Sequence, residues 1–127
     1  MDVFKTQGAF SWNELTTSNP AAAAEFYGSL FGWVVKDMGE AMHGYRVVNV
    51  GESGIGGITA FPPDAPPMPP HWGSYVTVTD LAATLSKCGA LGGQVIMPGI
   101  DIPNVGRMAV IQDPQGAVLN VIQYAMG

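Results

Sequence analysis

Basic side chains are the scarcest feature of this chain. Of 127 residues only Lys5, Lys36, Arg46, Lys87 and Arg107 are basic, all scattered, and ten acidic residues bring the net charge to −5. Nucleic-acid binding needs clustered Lys and Arg to neutralise phosphates, so that class is excluded. Cysteine is almost absent too. Cys88 is the single one, which rules out an intrachain disulfide and a Cys-based zinc site and reads as a small buried helix residue. No stretch approaches the roughly 18 consecutive apolar residues of a membrane span, and Met1–Phe10 has no signal-like apolar run. The expectation is a soluble, cytoplasmic protein with no membrane partner. Nucleophile elbows and phosphate-cradling loops are missing as well, because Gly54-Ile55-Gly56-Gly57 follows a turn and leads into no helix.

What is present is apolar and heavily punctuated. Hydrophobic residues make up 47% of the chain against 12% charged, with 17 Gly and 10 Pro. That mix predicts short strands joined by tight turns in one domain, 1–127. Phe10, Trp12, Glu14 and Thr16 alternate with Ser11, Asn13 and Leu15 as in a strand, and Asn19-Pro20 then opens a helix. Ala23, Phe26, Tyr27 and Leu30 follow at helical spacing, Gly32 ends the helix, and Trp33-Val34-Val35 starts a strand. Tyr45–Val50 and Ile55–Phe61 are two more strands around the turn Gly51–Gly54. Six prolines between Phe61 and Pro70 then deny strand pairing and mark a connector at 62–70.

The order then returns. Trp72–Thr79 reads as a strand, Asp80 as a cap, Leu81–Gly89 as a helix, and Gln94–Met97, Arg107–Gln112 and Ala117–Tyr124 as strands, with Asp113–Gly116 turning between the last two. Trp12…Gly32 and Trp72…Gly92 share one spacing, which is the internal repeat. The fold class is α+β: two βαβββ half-modules, at about 8–61 and about 71–125.

Trp12-Asn13-Glu14-Leu15 with Phe26–Trp33 resembles the opening half-module of the vicinal-oxygen-chelate, or glyoxalase/bleomycin-resistance/dioxygenase, superfamily. Pro70-His71-Trp72, Tyr75-Val76, Asp101–Arg107 and Asp113–Gly116 resemble the second half-module. The combination is similar to an actinobacterial antigen/hydroxylase-like branch whose members often carry more than one such domain. The resemblance implies a cup-shaped pocket, commonly with one metal on the cup-facing strands, where His, Glu or Asp leave room for substrate oxygens. The implied ligand positions here fall on Trp12 (or Glu14), Gly57, Gly73 or Ser74, and Asn120, which is no transition-metal set. Accordingly no metal or other cofactor is expected, and glyoxalase I or extradiol dioxygenase activity is in doubt.

The candidate site residues each have two readings. Glu14, beside Trp12, is a base or a structural carboxylate, and His71 is a proton carrier or a rim histidine. Trp12, Trp72 and Tyr75 are walls for a planar ligand or packing residues. Arg107 anchors an anion or pairs with Asp101 or Asp113, while Ser74 and Asn120 offer hydrogen bonds to a ligand. His43 reads as a solvent-facing residue. The leading expectation is a metal-independent protein binding a small organic molecule, aromatic ones included, in its cup. Two alternatives stand beside it: a lyase, isomerase or oxygenase of the superfamily using Glu14 and His71, with or without a divalent metal, and a dimeric interaction module. A homodimer is expected in each case.

Overall fold

Alternation and capping resolve into β1 (Phe10–Thr17), α1 (Pro20–Phe31), β2 (Val34–Asp37), β3 (Arg46–Val50), β4 (Ser53–Ala60), β5 (His71–Thr77), α2 (Leu81–Ala90), β6 (Gln94–Ile102), β7 (Gly106–Gln112) and β8 (Val118–Tyr124), with a 3-10 turn at Glu40–Met42. They are seen in a computed structural model that describes residues 1–42, 44–102 and 105–125, Ala41 by its backbone alone. The candidate His43 and the motif residues Pro103 and Asn104 lie outside the described residues. Among the described residues eight strands and two helices form two βαβββ modules, an α+β fold. Contacts divide the chain into a unit Trp12–Gly73 and a unit made of Met1–Ser11 with Ser74–Gly127.

In the Trp12–Gly73 unit the strand order is β2-β3-β4-β1, with β1 parallel to β4 and the other pairs antiparallel. α1 starts where Asn19 Oδ1 accepts from the Ala22 N–H at 3.1 Å and Pro20 needs no N–H partner. It stops at Gly32, whose N–H still donates to the Gly28 carbonyl at 2.9 Å while its left-handed φ of 75° turns the chain out of the helix. The helix buries Ala23, Ala24 and Tyr27 against Leu15, Val48 and Ile58, with Trp33 and Val35 closing the cluster. Because strand side chains alternate, Leu15 toward α1 puts Trp12, Glu14 and Thr16 on the other face. The β3–β4 ladder slips between Val48 and Asn49, where Val48 pairs with Gly56 and Asn49 with Gly54. Ile55 is the extra residue of a β-bulge.

The second unit has the order β5-β8-β7-β6, again with one parallel pair, β5 with β8. Asp80 caps α2 by accepting from the Ala83 N–H at 3.0 Å, and Val78, Leu81, Ala109 and Val121 form the core with Leu85 and Ile111. The chain's first residues belong to this unit. Thr77 bonds to Gly8 and Ala9 through its backbone and to the Val3 carbonyl through Oγ1, and Gln7 Oε1 accepts from the Thr79 N–H. Ser11 Oγ lies 2.7 Å from Tyr124 Oη, and Phe4 meets the Tyr124 ring edge-on. Burial pushes the Tyr124 phenol above its usual range, and the Ser11 bond offsets part of that.

The halves repeat in order but not in the register that the tryptophans suggest. Superposing the helix caps, Asn19 on Asp80, sets Leu15 on Val76, Glu14 on Tyr75 and Trp12 on Gly73. Matching Trp12 with Trp72 is therefore one residue out, and in a strand one residue exchanges the faces. α2 is two residues shorter than α1, 10 against 12, but Leu91 stands between it and Gly92. The net difference of one brings Gly92 back into apparent step with Gly32 and hides the slip.

Candidate functional site

On the face of the first half-sheet turned away from α1, a polar chain runs across three strands. Trp12 Nε1 donates to Tyr45 Oη at 3.0 Å, and Tyr45 Oη donates to Glu14 Oε2 at 2.8 Å. Trp12 and Glu14 come from β1, and Tyr45 stands just before β3, set there by its N–H on the Met42 carbonyl and its own carbonyl accepting from Met38. Gly57 of β4 makes the room, since a Cβ there would overlap the Tyr45 hydroxyl and the edge of its ring. Gly57 is opposite Glu14 in the parallel ladder, so the phenol sits where a side chain at position 57 would point. Among the described residues no three His, Cys, Asp or Glu side chains come together.

The α1 face of the same half-sheet carries an aromatic group. Tyr27 stacks on Trp33 (centroids 5.7 Å) and on Phe31 (6.1 Å), and Trp72 meets Tyr27 edge-on at 5.4 Å while its Nε1 donates to Tyr27 Oη at 3.2 Å. These rings border a concavity of about 440 Å³ whose floor is Val48, Ile55 and Gly56. Phe31 is 57% and Trp72 42% exposed.

The residues singled out from sequence thus fall into separate groups. Trp12 and Glu14 are brought together, through Tyr45. Trp72 lies instead with Tyr27 and Trp33, on the opposite face from Trp12. His71 is exposed at the start of β5, its Nδ1 3.0 Å from the Pro69 carbonyl and its ring against Phe61. In the other unit Tyr75 is buried and neighbours Asn120 in the β5–β8 ladder, and Ser74 is half-buried. Arg107 is exposed, with Nε 3.1 Å from Asp101 Oδ1 and one N–H on the Gly99 carbonyl. Cys88 is half-buried on α2, with Sγ 3.9 Å from the Gln94 carbonyl. Sequence reading missed Tyr45 as a site residue. The signal was Gly56-Gly57 inside a strand, where absent side chains mark the close approach of another group.

The model of the Glyoxalase/Bleomycin resistance protein/Dioxygenase superfamily matches residues 9–121. "Putative glyoxylase CFP32" of Mycobacterium tuberculosis is 43% identical over 119 residues, 93% of this chain and 45% of that protein. "Anthracycline biosynthesis protein DauV" of Streptomyces sp. strain C5 is 33% identical over 129 residues, 90% of this chain and 46% of that protein. The chain therefore spans under half the length of these relatives. Methylmalonyl-CoA epimerase from Mycobacterium tuberculosis superposes with a TM-score of 0.69 over 96% of this chain and 92% of that one, at 13% identity, a likeness of fold alone.

Proposed function

This chain belongs to the glyoxalase/bleomycin resistance protein/dioxygenase superfamily, and from that premise we propose that it binds a small organic molecule, without a metal, on the sheet face that carries Trp12, Glu14 and Tyr45. The observation carrying this reading is the Tyr45 hydroxyl standing in the side-chain space of Gly57. Of the positions that the resemblance implies for a metal, one falls on Trp12 (or Glu14) and one on Gly57, an indole (or a single carboxylate) and a bare Cα. The Glu14 carboxylate accepts the phenol's hydrogen. Trp12 supplies a flat apolar wall, and the Tyr45–Glu14 pair supplies the polar groups that orient a ligand. We assign no reaction step to these residues. His71 lies at the exposed start of β5 and enters the reading only as a rim residue.

The test is a thermal-shift titration of metal-stripped protein, first with Ni²⁺, Zn²⁺, Mn²⁺ and Fe²⁺ and then with a panel of small aromatic and hydroxylated compounds. The expected result is no metal response and at least one organic ligand that raises the melting temperature, since a ligand at about 100 times its Kd adds roughly 2.7 kcal/mol. That rise should shrink in Glu14→Gln and Tyr45→Phe. A stoichiometric metal with a marked shift would overturn the reading, and so would a panel with no response.

A further inference from the structure

The α1 face of the same half-sheet holds a cavity that plays no part in that reading. Two features of β4 open it: the bulge turns Ile55 onto this face, and Gly56 places no side chain there. Tyr27, Phe31 and Trp33 form a tier of rings, with Tyr27 within 13° of parallel to Phe31 and 28° to Trp33. Trp72 stands across the tier, at 78° to both Tyr27 and Trp33. The result is a corner with one wall of ring faces and one upright indole, above the apolar floor of Val48 and Ile55. A flat molecule fits such a corner by stacking on one wall and presenting its edge to the other. The volume of about 440 Å³ is that of a small-molecule pocket.

Polarity narrows the class. None of the described lining residues is charged, Asn13 being a neutral amide, so an anion entering here would lose its hydration without a counter-charge. A cation could meet the ring faces but offers no acceptor to the hydroxyl that borders them, which leaves a neutral ligand as the best fit. The Tyr27 hydroxyl accepts from Trp72 Nε1, and among the described residues nothing accepts its hydrogen. A phenol has one hydrogen to give, and this one borders the cavity. We propose that the corner between α1 and β4 is a binding site for a neutral, planar, ring-bearing molecule with a carbonyl oxygen, the rings holding its plane and Tyr27 donating to its oxygen.

The probes are 1-indanone and indane, which share a ring system and differ in the carbonyl, followed through amide and indole N–H resonances. The expected result is saturable shifts at Ile55, Phe31 and the Trp72 indole, with 1-indanone the tighter. Tyr27→Phe should weaken 1-indanone roughly five- to tenfold, the loss of one hydrogen bond, and leave indane unchanged. Because Tyr27 also packs on the core, Ile55→Arg at the exposed bulge is the second variant. It should abolish both probes' shifts while the remaining spectrum stays in place. The proposal is overturned by no saturable shift at millimolar probe, by shifts centred on Trp12 and Tyr45 instead, or by equal 1-indanone affinity in Tyr27→Phe. Failure here leaves the Trp12–Tyr45–Glu14 reading standing, because that site is tested with other variants on the other face.

Discussion

At position 57 a Cβ would overlap the Tyr45 hydroxyl, so Gly57→Ala must drive the phenol from its bonds to Trp12 Nε1 and Glu14 Oε2. Urea unfolding should show a loss of about 1–3 kcal/mol, the usual cost of overpacking. A Cβ there would also overlap the edge of the Tyr45 ring, so the partner change is Tyr45→Ala. With the whole ring gone the same glycine change should cost measurably less, a coupling that a double-mutant cycle reads directly. Equal costs in both backgrounds would mean that the phenol does not occupy that space. Glu14 and Trp12 were visible in the sequence as same-face neighbours, since two residues apart in a strand is a local fact. Tyr45 was not: its place depends on a pairing between strands far apart in the chain, and on a glycine whose role is to be absent. For Trp72 the sequence left open a ligand wall or a packing role, and the structure sets it beside Tyr27, on the opposite face from Trp12.

The elements whose signals are local were legible. Asn19-Pro20 and Asp80 open the two helices as capping chemistry requires, and Asp113 closes its turn by accepting from the Gln115 and Ala117 N–H groups at 2.9 and 3.0 Å. Asp80→Ala should remove about 0.5–2 kcal/mol, read as a lower urea midpoint with unchanged slope, while Asp80→Asn keeps most of it. An Asn variant as unstable as Ala would point to charge rather than capping as the source. β6 was less legible. It runs to Ile102, well beyond Met97, and its ladder with β7 shifts register between Val95 and Met97 and again between Met97 and Ile100. Such bulges break the two-residue period on which a strand reading depends. The one-residue slip between the halves escaped for a related reason: a helix two residues shorter, with Leu91 inserted before Gly92, restores the glycine spacing after the strand register has moved.

For the whole molecule the sequence pointed to a homodimer, and each unit leaves large apolar side chains in the open: Val34 at 64%, Leu91 at 69% and Val118 at 60%. We expect sedimentation to give a dimer at micromolar concentration, and a monomer throughout would overturn that. No helix is long and apolar enough to cross a membrane among the described residues. The N-terminal segment has a further consequence. Residues 1–11 complete the unit that begins again at Ser74, through the bonds of Gly8 and Ala9 to Thr77, Gln7 to Thr79 and Ser11 to Tyr124. The seam of the repeat, in the proline-rich connector, is thus not the seam of the contacts. A chain severed in that connector would yield fragments that complement one another rather than fold alone, because the first carries a piece of the second's edge.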